Sequence, residues 1–116
     1  TEGVQMSIPT PPPARGAPAF VGGVFPTTLP VLVDFTAAWC PPCRMVTPVL
    51  EQLAADEAHR LRIVTLDVDA HPETARAYAV MSMPTLALFR DGRVVATVVG
   101  AQSRTAILKR FEPYLV

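Results

Sequence analysis

The chain has 116 residues, half of them hydrophobic and 17% charged, with a formal net charge of zero. That length and composition suit one globular domain able to bury its own core and exclude a disordered chain. The balanced charge leaves no electrostatic footprint for nucleic acid or an anionic membrane surface; no apolar run nears the roughly 18–20 residues that span a bilayer.

Seven of the thirteen prolines fall in residues 1–30. The stretch "PTPPPARGAP" (9–18) reads as an extended, polyproline-like lead-in. Residues 1–18 are therefore expected to be a Pro-rich irregular segment, with Met6 a candidate natural start and residues 1–5 an expression remnant. The domain is expected to occupy 19–116, with "AFVGGVF" (19–25) a short strand or an apolar tether. No charged n-region followed by an apolar h-region marks a signal peptide; one removed earlier would leave the same picture.

The ordered signals begin at "VLVDF" (31–35), a β-branched, nearly all-apolar run expected of a strand buried on both faces. From Cys40 to about Glu57, Met45, Val49, Leu50 and Leu53 recur at helical spacing, and Pro48 inside that pattern is expected to kink the helix. "RIVTLDV" (62–68) predicts a second buried strand. "HPETARAYAV" (71–80) predicts a helix opened by Pro72, where a missing N–H is harmless. "TLALF" (85–89) and "VVATVVG" (94–100) flank Asp91-Gly92, a hairpin turn signal. A last amphipathic helix is expected over 103–115, N-capped by Ser103, with an apolar stripe of Ile107, Leu108 and Phe111. Strand–helix–strand steps favour parallel pairing and the hairpin adds an antiparallel pair. The fold class is thus α/β, a small mixed sheet with helices on both faces.

The only two cysteines, Cys40 and Cys43, stand in "WCPPC" where a strand ends and a helix begins. Two are too few for a disulfide-stapled secreted scaffold. Pro41 and Pro42 fit a first helical turn, whose N–H groups have no intrahelical partner. Residues three apart share a helix face, so a disulfide is within reach. It would close a tiny loop and stabilise little, which makes it a poor staple and a usable redox couple. Cys40 would sit at the helix N-terminus, where the dipole and Arg44 favour a thiolate; Cys43, a turn further in, is expected to be more buried. Position then divides the labour: Cys40 attacks a substrate disulfide and Cys43 resolves the mixed disulfide. A zinc site would need about four ligands, and only His59 and His71 are available besides, without ligand spacing. An inert buried pair fits poorly with the prolines and Trp39 beside it.

With those residues placed, "VLVDFTAAWCPPCRMVTPVL" (31–50) resembles the active-site strand and helix of the thioredoxin family. "LDVDAHPETARAYAVMSMPTLALFRDGRVVATVVGAQSR" (66–104) resembles the remainder, so the likeness covers residues 30–115. It implies the thioredoxin fold, with Cys40 the nucleophile, Cys43 the resolving cysteine and Asp34 the buried group that moves a proton to and from Cys43. Asp34 is also odd on its own terms: a carboxylate in an apolar strand, whose burial should raise its pKa towards neutrality. The likeness makes Pro84 the cis-proline facing the cysteines and gives the backbone of Met83 the task of pairing with an extended substrate. Trp39, Pro41, Gly92 and Gly100 fall on positions around the substrate-docking surface.

Four departures stand out. Pro41 replaces the usual glycine between the cysteines, where the redox potential is tuned. Thr36 stands where many members carry tryptophan, which should loosen packing under the site. Thr65 stands where many carry a buried lysine, which should ease protonation of Asp34. The usual N-terminal strand and helix are not evident before Val31.

The likeness implies a cytoplasmic, monomeric protein-disulfide reductase without its own cofactor, recharged from NADPH by a flavin-dependent thioredoxin reductase. Its clients would be disulfides in ribonucleotide reductase, peroxiredoxin-type peroxidases and methionine sulfoxide reductase. A second possibility is an extracytoplasmic or tryparedoxin-like oxidoreductase of the cytochrome-maturation type, in which WCPPC also occurs. Those carry extra residues before the cis-proline, whereas Cys43 to Pro84 here is 41 positions. A third is a non-enzymatic module with incidental cysteines, against which the set Asp34, Cys40, Cys43 and Pro84 argues.

Overall fold

A computed structural model describes residues 29–115. The expected Pro-rich lead-in, the 19–25 segment and the stretch in which no N-terminal strand or helix was evident from sequence lie outside the described residues. Four strands, β1 (Val31–Thr36), β2 (Arg62–Asp67), β3 (Thr85–Arg90) and β4 (Arg93–Val99), form one sheet in the order β2-β1-β3-β4. Among the described residues three helices accompany them: α1 (Pro41–Asp56), α2 (Pro72–Ala77) and α3 (Arg104–Phe111).

β1 is parallel to β2 and antiparallel to β3, and β3 is antiparallel to β4. The expected parallel step from β2 through α2 to the next strand is therefore corrected. A six-residue helix is only about 9 Å long, against about 20 Å for a six-residue strand. It cannot return the chain to the far end of the sheet, so β3 starts from the end at which β2 finished.

Alternation along β1 sends its side chains into two cores. Val31, Val33 and Phe35 pack with Val64, Leu66, Ala75 and Phe89 on the α2 face. Leu32 packs with Ile63, Leu86, Leu88, Val46, Leu50, Leu53, Ile107 and Phe111 on the face covered by α1 and α3. Tyr78 seals the first core, its ring edge-on to Phe89 with centroids 5.4 Å apart.

α1 buries Cys43, Val46, Leu50 and Leu53. The expected stripe is thus out of phase at one position: Met45 is 69% exposed and Val46 points inward instead. Cys43 sets the phase, and two residues further on a helix has turned roughly 200°. α1 runs unbroken through Pro48, which lies on its exposed side.

α2 ends in a Schellman motif, with Ala79 N–H bonded to Arg76 O and Val80 N–H to Ala75 O, both at 3.0 Å. Ala79 takes the left-handed position (φ 57°) that glycine usually fills. The Asp91-Gly92 turn has positive φ at both residues, as a two-residue hairpin requires. Ser103 caps α3 by accepting the Ala106 N–H at 3.1 Å. That helix is shorter than expected: it stops at Phe111 and continues as a 3₁₀ turn, Glu112–Tyr114, because Pro113 has no N–H to continue the ladder.

Candidate active site

The chain leaves β1 at Thr36 and turns at Cys40, the extended N-cap residue of α1 (φ −100°, ψ 109°). Pro41 and Pro42 occupy the first helical turn with both rings exposed. The Sγ of Cys40 accepts the Cys43 backbone N–H at 3.2 Å, so the sulfur takes the place of a capping oxygen. A disulfide joins Cys40 to Cys43, whose Cα atoms lie 5.3 Å apart. The expected contrast in burial is slight, 3% exposed against 2%, because both cysteines pack into the α2-face core. Arg44 lies one residue beyond, its guanidinium donating to Ala38 O at 2.9 Å.

Trp39 is 62% exposed, and its Nε1–H donates to Asp69 Oδ2 at 2.8 Å. Asp69 is itself held in a turn by donating its N–H to Asp67 Oδ1. The C-terminal ends of parallel strands β1 and β2 place these two loops side by side. Asp69 was not singled out above, although its position just past a strand parallel to β1 was the available signal.

The peptide bond between Met83 and Pro84 is cis. Half-buried Met83 packs against the core that contains both cysteines. The 82–84 segment is held at both ends, since Thr85 Oγ1 donates to Ser82 O at 2.6 Å and Gly100 N–H to Pro84 O at 2.9 Å. Gly100 adopts φ 95°, open to glycine, and so joins the site through Pro84. Gly92 does not. It sits at the β3–β4 tip beside the Arg90–Arg93 pair, while the site lies beyond the Thr85–Val99 pair. The length of a six-residue strand, about 20 Å, separates them. Gly92 is in the fold for its turn.

Asp34 lies on the α1 face of β1 between Leu32 and Thr36, opposite Thr65 and Leu86. It is 4% exposed, and burial pushes its carboxyl up from 3.8 to about 7. Its Oδ1 has no hydrogen-bond partner within the protein. A cavity of about 110 Å³ beside it is lined by Asp34, Thr36, Thr47, Glu51 and Thr65, with Leu50 and Ile63. Thr47 was not anticipated; its Oγ1 donates to Cys43 O at 3.1 Å, one helical turn back. His59 and His71 stay apart, and no group of three or more His, Cys, Asp or Glu comes together among the described residues.

The fold thus carries a redox-capable cysteine pair at a helix N-terminus, a cis-proline loop and a buried carboxyl on the first strand. A family model described as Thioredoxin matches residues 19–112. The chain belongs to the thioredoxin family. It is 50% identical over 91 residues to the thioredoxin of Mycobacterium tuberculosis, an overlap covering 78% of each chain. It is 46% identical over 91 residues to the bifunctional thioredoxin reductase/thioredoxin of Mycobacterium leprae, covering 78% of this chain and 20% of that protein. Among solved structures, the germline-specific thioredoxin Deadhead of Drosophila melanogaster matches with a TM-score of 0.70 at 28% identity, covering 74% of this chain and 81% of that one. With its Cys-x-x-Cys pair, this thioredoxin-family chain is a thiol-disulfide oxidoreductase that reduces protein disulfides. Like the family, it works without a cofactor of its own. No helix among the described residues is long and apolar enough to cross a membrane.

Proposed function

We propose that Cys40 is the attacking sulfur, Cys43 the resolving one and Asp34 the group that exchanges a proton with Cys43. The observation that carries this assignment is the capping geometry: Cys40 Sγ occupies the N-cap acceptor position of a sixteen-residue helix and takes the Cys43 N–H. Negative charge on sulfur is favoured there by the dipole and the hydrogen bond together. The Cys40 thiolate attacks one sulfur of a client disulfide; that S–S bond breaks, a Cys40–client disulfide forms and a client thiolate leaves. Cys43 gives its proton to Asp34, attacks Cys40 Sγ and releases the second client thiolate. Two electrons pass from the dithiol to the client, and the Cys40–Cys43 disulfide is left.

Trp39, Pro41, Met83, Pro84 and Gly100 form the docking surface in this scheme. Trp39 and Pro41 are exposed beside the disulfide, and the Met83 backbone precedes the Pro84 loop, suited to an extended client chain. Re-reduction falls to a flavin-dependent thioredoxin reductase drawing on NADPH, a pairing supported by the relative that joins both activities in one chain. Ribonucleotide reductase, peroxiredoxins and methionine sulfoxide reductases are the client classes, and the cytoplasm is the site of action. The test is Cys43→Ser, which leaves the first attack intact and removes the second. It should accumulate covalent client adducts that a reductant releases, and Cys40→Ser should form none. Adducts formed equally through either cysteine would reverse or abolish the assigned roles.

A further inference from the structure

Sulfur occurs in the described residues at Cys40, Cys43, Met45, Met81 and Met83. All of these lie on two segments, the start of α1 and the loop that leads through Pro84 into β3. The cysteine sulfurs are buried and joined to each other, so the oxidised chain offers no thiolate there. Two of the methionines stand the other way. Met81 is 86% exposed, more than any other large hydrophobic residue among those described, and Met45 is exposed as well. Cys43 turns inward and so turns Met45 outward, one helical turn from the exposed ring of Pro41 on the same flank of α1. Met81 lies between Val80 and Met83, which both pack on the core that holds the cysteines, and within about 7 Å of Met83 along the chain. The Thr85 hydroxyl pins Ser82 O beside it at 2.6 Å, so a held backbone presents Met81 to solvent. A thioether is apolar, unbranched and polarizable, and it adapts to varied apolar side chains. Oxidation makes the same side chain a polar acceptor that must shed water to be covered.

We propose that Met45 and Met81 form a peroxide-sensitive rim of the docking surface, whose oxidation to methionine sulfoxide weakens client binding and leaves the disulfide chemistry intact. This rests on the docking surface assigned above. One methionine comes from α1 and the other from the Pro84 loop, so a client spanning Pro41 and the Met83 backbone meets both. The oxidant is a hydroperoxide. A thioether lone pair attacks one peroxide oxygen, the O–O bond breaks, an S–O bond forms, and water or an alcohol leaves. Sulfur gives up two electrons and the peroxide accepts them. Reversal takes a dithiol and a methionine sulfoxide reductase: the oxygen leaves as water and the two thiols close to a disulfide. Met83, half-buried against the core, is shielded from the oxidant. The surface thereby carries a second oxidation state, independent of the Cys40–Cys43 couple.

The experiment treats the full chain in its disulfide form with hydrogen peroxide, removes the peroxide with catalase and reduces the disulfide with dithiothreitol. Initial rates are then measured over a series of insulin concentrations. Peptide mass spectrometry should place an added oxygen on Met45 and Met81 ahead of Met83. The half-saturating insulin concentration should rise about five- to twentyfold, with the limiting rate within about twofold of the untreated chain. Reduction of hydroxyethyl disulfide, too small to meet the rim, should be unchanged. Met45→Leu with Met81→Leu, compared with itself before and after peroxide, should keep its half-saturation point. Methionine sulfoxide reductase with dithiothreitol should return the treated parent to its starting value. No oxygen on either residue, oxygen without a shift in half-saturation, or an equal shift in the leucine variant overturns the rim. In that event Trp39→Ala decides for the surface itself: a raised half-saturation point spares the docking surface, and a parent-like one overturns both.

Discussion

Asp34→Asn removes a charge that the fold accommodates poorly, and the structure sets the size of the gain. The carboxyl is 4% exposed, its Oδ1 has no protein partner, and desolvation lifts it from 3.8 to about 7. In the unfolded chain it returns to the ordinary value. Below about pH 4 both states hold the proton and Asp34 contributes no pH-dependent term. Between about pH 4 and 7 the unfolded chain releases its proton while the folded one keeps it, so stability falls as pH rises. Above pH 7 both are ionised and the loss is constant. Each pH unit of that window is worth about 1.4 kcal/mol, so the whole loss is about 4 kcal/mol at most. Against a domain stability of about 5–15 kcal/mol this is large.

The assay is guanidinium denaturation of the oxidised protein and its Asp34→Asn variant at pH 4, 6 and 8. The amide has no charge to lose. The two proteins should differ by less than about 1 kcal/mol at pH 4, and at pH 8 the variant should be the more stable by about 2–4 kcal/mol. A gap of equal size at pH 4 and pH 8, or a parent more stable at pH 8, would refute the desolvation account.

Ala79→Gly should stabilise by about 0.5–1 kcal/mol, since only glycine takes the left-handed C′ position of α2 without a Cβ penalty; a loss on thermal or chemical denaturation would count against the Schellman geometry. Ser103→Ala should cost about 1 kcal/mol by leaving the Ala106 N–H uncapped, and Ser103→Asp should recover it. Leu53→Ala, at a fully buried position between α1 and the sheet, should cost about 2–5 kcal/mol; a value below 1 would mean that this core collapses into the gap.

Much of the fold was legible before any coordinates, for local reasons. The β-branched run at 31–35, the Asp91-Gly92 turn and the Ser103 cap are signals contained in a few residues, and each became the element it predicts. What escaped depends on facts that a short window does not hold. The helical phase of α1 is set by Cys43 turning into the core, so Met45 and Val46 exchange roles. The direction of β3 follows from the brevity of α2. Gly92 shares a sequence likeness with the docking region but lies at the other end of the sheet, a distance visible only once β3 and β4 are laid side by side. Thr47 and Glu51 are ordinary helix-surface letters until α1 is set against Asp34 and Thr65.

Asp34 breaks a local rule with no structural return. The α1 face of the sheet is otherwise built from Leu32, Ile63, Leu86 and Leu88, and a leucine at 34 would satisfy every packing requirement that a carboxyl does not. A residue kept only for structure would show its replacement in stability alone. The arrangement here predicts two effects of opposite sign over one pH range: as pH rises from 4 to 8, Asp34→Asn should gain stability relative to the parent, while near pH 7 it loses turnover. Stability and rate that move together, or stability that moves alone, would leave the carboxyl without a part in the exchange and the cavity behind it as a mere packing fault.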